Sequence, residues 1–259
     1  MSDTQDLVRE RRGPLLLLRL ARPEARNALT PGLLSGIGAA VHEAESDPEV
    51  RALVLTGTGD RSFCAGMDLR AFAAGEQIGV GDDDATRTYF RLIDGEVSVP
   101  LVGAANGSAL AGGLELLLAC DVIVASTAAE FGLPEVKRGL FPAGNGAFLG
   151  SRIPLGVALE MALTGDPISA ARAHELGLVN VLAPPESVLD AALAVAERIA
   201  ANGPLGLAAA RELVRLGVSD ATRVRARRDE WQQIVFRSED AKEGALAFVE
   251  KRPPVWRGR

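Results

Sequence analysis

Ala111-Gly112-Gly113-Leu114-Glu115-Leu116-Leu117-Leu118-Ala119-Cys120-Asp121 opens an apolar helix with a glycine pair and sets a carboxylate in its first turn. Phe131-Gly132-Leu133-Pro134-Glu135 brings a second carboxylate twenty residues later, behind a proline that stiffens its loop. The first N–H groups of a helix have no partner within it, and the helix dipole favours negative charge there. Glycines carry no Cβ, so another molecule can come close to those groups. Together these parts supply donors for a developing oxyanion and two acids to move a proton. Each part also has a plainer reading. The glycine pair alone makes a tight entry into a buried helix, and Glu115 alone satisfies helix N-terminal N–H groups. Glu135 alone is a surface glutamate.

Outward from this helix (residues 114–120), residues 101–105 read as a strand, Asn106-Gly107-Ser108 as a turn and residues 122–125 as the next strand. Upstream, residues 15–20 form a strand and residues 22–27 the loop leaving it. Thr30 and Pro31 suit the N-cap and first position of a helix running towards Glu45, which Asp47-Pro48 ends. Residues 52–56 form a buried strand, 57–60 a turn, and a short strand containing Phe63 leads to Ala65-Gly66-Met67-Asp68-Leu69. A helical stretch over 86–97 ends at Pro100. Strand, turn, strand, helix cycles at this spacing predict stacked ββα units. No G-x-G-x-x-G follows a strand, which argues against dinucleotide binding. Residues 71–89 hold Gly75, Gly79, Gly81 and Asp82-Asp83-Asp84 and read as a mobile segment. From Gly150 onward the periodicity is helical over 157–163, 170–176, 189–201, 205–216 and 221–238, with one more strand at 178–182. The chain divides into an α/β core over 1–195 and a helical region over 196–259.

The 259 residues are 47% hydrophobic and 24% charged, with a net charge of −6. That balance is ordinary for a globular protein and gives no support to a general nucleic-acid role. The early apolar run, residues 15–18, is too short for a signal-peptide core or a membrane span. Cys64 and Cys120 lie in apolar contexts without metal-like spacing, which suits reduced thiols in a cytoplasmic protein. With only His42 and His174, multi-histidine metal sites and most Ser-His-Asp arrangements lack parts, so no metal is expected. Both histidines read as structural or surface residues.

Glu115 is flanked by Leu114, Leu116, Leu117 and Leu118, so its carboxylate is expected to be partly desolvated. The Phe63–Leu69 segment offers a second turn of small residues, whose Met67 N–H is a candidate to face the same carbonyl as Gly112. The ordered set of motifs resembles the enoyl-CoA hydratase/isomerase (crotonase) family over almost the full length. It begins at Arg22-Pro23 and Arg26-Asn27-Ala28-Leu29. It runs through residues 47–57, 63–69 and 106–116, Cys120-Asp121 and residues 131–135. It continues with Leu163-Thr164-Gly165, residues 177–180 and 238–244, and the tail at 248–254.

This resemblance implies a spiral of ββα turns with a C-terminal helical region that builds a homo-trimer or a dimer of trimers. The substrate implied is an acyl-CoA thioester, with coenzyme A part of the substrate and no separate cofactor. By position, the backbone N–H groups of Met67 and Gly112 form the oxyanion hole. Ala65, Met67, Asp68 and Leu69 contact the CoA moiety, with Arg22, Arg26 and Lys251 as candidates for its phosphates or adenine. Glu115 and Glu135 match the two positions that hydratases fill with glutamates, which implies addition of water to a trans-2-enoyl-CoA. An enoyl-CoA isomerase and a non-catalytic acyl-CoA-binding protein are the alternatives. The chain departs from the family where Pro142 is commonly followed by Gly-x-Gly-Gly-Thr. Ala143 is expected to strain the loop if φ there is positive, and Asn145 to tolerate left-handed geometry.

Overall fold

The computed structural model describes residues 6–74 and 83–259. The chain enters through an antiparallel hairpin of β1 (Leu7–Arg12) and β2 (Leu15–Leu20). α1 (Pro31–Ser46) follows, with the Leu33 N–H donating to the Thr30 hydroxyl at 3.2 Å and Pro31 in the first turn, as the sequence predicts. A long strand, a turn and a short strand then recur. β3 (Ala52–Gly57) and β4 (Ser62–Cys64) lead to α2 (Leu69–Ala73) and α3 (Asp84–Ile93). β5 (Leu101–Ala105) and β6 (Ser108–Leu110) lead to α4 (Gly112–Leu118), and β7 (Val122–Ser126) leads to β8 (Glu130–Gly132). Beyond two 3-10 segments, Pro134–Arg138 and Asn145–Ser151, come α5 (Leu155–Thr164), β9 (Ile168–Ser169), α6 (Ala170–Glu175), β10 (Val181–Ala183) and α7 (Val188–Ala200). The chain closes with α8 (Pro204–Ser219), α9 (Ala221–Val235) and α10 (Glu239–Glu250).

The long strands build one sheet in the order β1-β2-β3-β5-β7-β10, parallel from β2 onward. The short strands build a second sheet, β4-β6-β8-β9, in which only the β8–β9 pair is antiparallel. Each cycle thus adds one strand to each sheet, which is the ββα spiral expected. Alternation decides which way the long strands face. Leu18, Leu20, Leu53 and Leu55 join α1 and α4 in one core. Leu15, Leu17, Ala52, Val54, Val102 and Ala104 pack with α7 on the opposite face. Covered on both sides, β3 is buried throughout.

α7 therefore belongs to the core, and a boundary at 195/196 falls inside it. The helical region begins after Ala200, with α8. Asp121 secures α8. Its carboxylate accepts from Arg211 Nε at 2.8 Å and Arg215 Nη2 at 2.8 Å, as well as from the Leu101 N–H at 2.9 Å. The helix expected over 86–97 starts earlier and stops at Ile93. Asp83 caps it through the Thr86 N–H at 2.9 Å, and Gly95 turns the chain with φ 74°. Of the segment expected to be mobile, Gly75, Gly79, Gly81 and Asp82 lie outside the described residues, whereas Asp83 and Asp84 open α3. Among the described residues no helix is long and apolar enough to cross a membrane.

Candidate active site

β6 passes into α4 through Ala111, and the backbone there is unusual. Ala111 has φ 52° and ψ −132°, a conformation that costs an L-residue about 1–3 kcal/mol and clusters at functional sites. Its ψ sets the plane of the peptide that carries the Gly112 N–H, the first donor of α4 and one without an acceptor in the helix. Opposite lies the Gly66–Asp68 turn. The Leu29 N–H donates to Gly66 O at 2.8 Å and the Asp68 N–H to Leu29 O at 2.9 Å, so this parallel bridge uses the neighbours of Met67. The N–H of Met67 itself points away from Leu29. Gly66 has φ 88°, and a Cβ on it would meet Gly112 N at 2.9 Å, so only glycine lets the two segments approach this closely. The amide-bearing segments of Met67 and Gly112 are thus side by side.

Gly113 is a glycine for a different reason. A Cβ there would lie 2.1 Å from Cys64 O, in the backbone of β4. That contact ties the start of α4 to the strand leading into the Met67 turn.

Glu115, one turn into α4, is half-buried. Its Oε1 accepts the Gly144 N–H at 2.8 Å and the Gly146 N–H at 3.0 Å. Both donors lie in the loop that departs from the family pattern. Ala143 has no positive φ there, and Asn145 is buried at the start of a 3-10 segment, so neither expected strain nor left-handed tolerance is needed. The glycine that matters is Gly144, where a Cβ would come within 2.9 Å of Glu115 Oε2.

Glu135 sits in the Pro134–Arg138 segment, also half-buried, with a buried Oε2 that has no hydrogen-bond partner. Burial raises its pKa, its own backbone N–H works against that, the Glu115 charge adds to the rise and Arg138 opposes it. The two glutamates are therefore within electrostatic reach yet differently furnished. Glu115 is held by donors to one oxygen. Glu135 is inclined to keep a proton.

The remaining sequence candidates separate. Asp68 and Arg22 are paired at 3.1 Å, and Arg22 also donates to Ala28 O at 2.7 Å, so that guanidinium is committed to the protein. Arg26 is exposed, and its carbonyl accepts the Ala65 N–H at 3.1 Å, which fixes it beside the Ala65–Leu69 loop. Lys251 stands apart at the left-handed C-cap of α10. His42 is exposed, and His174 bonds Val179 O at 2.9 Å through Nδ1. Burial pushes the thiols of Cys64 and Cys120 up to about 12, so neither is a thiolate near neutrality.

Sequence reasoning missed Gly144 and Gly146 as the holders of Glu115, although the glycine pair flanking Asn145 marked an irregular backbone. It also missed Asn27. This fully buried residue has φ 55° and donates through Nδ2 to Thr58 O at 3.0 Å and Ser62 O at 2.9 Å, bracing β4 behind the Met67 turn.

The Met67 and Gly112 amide segments and the two glutamates thus lie together on a double-sheet ββα spiral. The sequence matches the enoyl-CoA hydratase/isomerase family over residues 10–259. It is 38% identical to enoyl-CoA hydratase EchA19 of Mycobacterium tuberculosis, over 98% of this chain and 97% of that protein. It is 36% identical to carnitinyl-CoA dehydratase of Proteus mirabilis, over 99% of this chain and 100% of that protein. The crystal structure of an enoyl-CoA hydratase from M. tuberculosis H37Rv superposes with a TM-score of 0.90 at 43% identity, covering 99% of this chain and 100% of that one. The chain belongs to the enoyl-CoA hydratase/isomerase, or crotonase, family.

Proposed function

We propose that the protein is an enoyl-CoA hydratase, adding water across the 2,3 double bond of a trans-2-enoyl-CoA to give a 3-hydroxyacyl-CoA. The observation that carries this reading is the contrast between the two glutamates. Glu115 accepts two backbone N–H groups on Oε1, leaving Oε2 to take a proton from water. Glu135, raised in pKa by burial and unpaired at Oε2, is the one placed to deliver a proton. Water adds at Cβ as its proton passes to Glu115, Glu135 protonates Cα, and the Met67 and Gly112 amides hold the charge that builds on the thioester oxygen. The pair exchanges its protons as a unit between turnovers. The Ala65–Leu69 loop, with Arg26 beside it, carries the CoA portion, Lys251 reaching it from the tail of a neighbouring subunit, and no other cofactor is required. Phe141, Phe148, Leu155, Leu159 and Leu163 stand exposed around the Glu115 loop and α5, which supports self-association into a trimer or a dimer of trimers.

The carnitinyl-CoA dehydratase relative favours a second reading of the same chemistry in reverse, with loss of water from a 3-hydroxyacyl-CoA that carries a quaternary ammonium. A substrate panel decides between them. Crotonyl-CoA and longer trans-2-enoyl-CoAs are expected to lose the absorbance of the conjugated thioester, and carnitinyl-CoA to give none. Turnover of carnitinyl-CoA alone would favour the second reading, and binding of every ester without turnover would make the protein an acyl-CoA binder.

A further inference from the structure

The segment that holds Glu115 is fastened to α4 at both of its ends. At its start, the Gly144 and Gly146 amides donate to Glu115 in the first turn of the helix. At its finish, Arg152 caps the 3-10 segment Asn145–Ser151, and its Nη1 donates to Leu118 O at 3.1 Å in the last turn of the same helix. Between these ties Leu149 is buried, and the Arg152 N–H donates to its carbonyl at 2.9 Å. The carboxyl end of α4 is a suitable anchor for a cation, because its terminal carbonyls lack helix partners and carry the negative end of the dipole. Arg215 uses the neighbouring carbonyl, Ala119 O, at 2.7 Å.

We propose that Arg152 is a positioning residue for the reaction: it sets the distance of the Gly144–Gly146 amides from α4 and thereby the aim of the Glu115 carboxylate. This rests on the reading of Glu115 as the group that activates water. Arg152 bonds to Leu118 O and Leu149 O and reaches the site only through this backbone tie, so its loss is expected in the chemical step and not in substrate binding.

The test measures kcat and KM for crotonyl-CoA, with a thermal melt, in R152M, R152K and E115Q. R152M is expected to lose about tenfold in kcat with KM changed by less than about twofold, and R152K, which keeps a charged donor, to recover most of the loss. Wild-type kcat in both Arg152 variants would overturn the proposal, as would a loss that falls on KM. If R152M does not fold, R152Q takes its place: a folded R152Q with lowered kcat and unchanged KM supports the tie, and a folded R152Q at wild-type kcat overturns it. An active E115Q overturns the water-activating role of Glu115 by itself. If R152M were impaired while E115Q was not, the route from Arg152 through Glu115 would be overturned.

Discussion

Glu115→Gln and Glu135→Gln are each expected to lower the hydration rate of crotonyl-CoA by about 10²–10⁴, the usual contribution of one general acid or base. The amide keeps the shape of each side chain, so melting temperature and acyl-CoA binding should stay near wild type. In E115Q a neutral oxygen can still accept the Gly144 and Gly146 N–H groups. The loop should therefore hold while the base is lost. In E135Q the loss is of the proton itself. The same assignment fixes the sign of the pH dependence. Burial raises the pKa of Glu135, and the Glu115 charge adds to it, so its neutral acid survives to higher pH than in a free carboxyl group. On the alkaline side the rate of hydration should fall as pH rises through that pKa, and E135Q should lack this limb. Undiminished turnover in both variants would show that the two-carboxylate mechanism is wrong.

The two adjoining glycines are expected to fail in opposite ways. At Gly113 a Cβ would lie 2.1 Å from Cys64 O and 2.7 Å from its carbonyl carbon, and backbone in a buried strand cannot move aside locally. Gly113→Ala should cost about 1–3 kcal/mol or more by overpacking, read as a lower melting temperature and a lower yield of folded protein. At Gly112 the nearest neighbours of a Cβ are at ordinary distances, 3.5 Å from Gly66 Cα and 3.7 Å from Met67 N. Gly112→Ala should fold and melt normally. Its methyl, however, sits within reach of the Met67 amide, in space that the proposed function gives to the thioester oxygen, and on that reading turnover should fall by up to about 10²–10³, as for a lost oxyanion donor. Full activity in Gly112→Ala would place the oxygen elsewhere.

Much of this was legible in the sequence because the relevant signals are local. Short continuous apolar runs bounded by turn residues located the long strands. Thr30-Pro31 announced α1, and the glycine pair ahead of four leucines and a glutamate announced α4. β1 was not legible: its Arg9–Arg12 run is the charged edge of a sheet and has no apolar alternation. β6, β8 and β9, at two or three residues, are too short to show a period. α10 follows α9 across only three residues, and the tail is folded by distant partners. Trp256 donates to Ala201 O at 2.7 Å, and the Asp240 carboxylate accepts the Arg257 and Gly258 N–H groups. At the site, residue types were readable and partnerships were not. Arg22 looks free for a phosphate until the fold brings Asp68 to it across forty-six residues. The Ala143–Gly146 loop looks like a defect until its amides are seen to hold Glu115.

The most direct test of the central claim is the fate of solvent oxygen when the wild-type protein is given crotonyl-CoA in ¹⁸O-enriched water. The account predicts a 3-hydroxyacyl-CoA that carries one solvent oxygen at Cβ, formed at a rate that tracks loss of the conjugated thioester. Crotonyl-CoA left unhydrated, while a 3-enoyl-CoA supplied in a parallel reaction moves its double bond without taking up solvent oxygen, would contradict it.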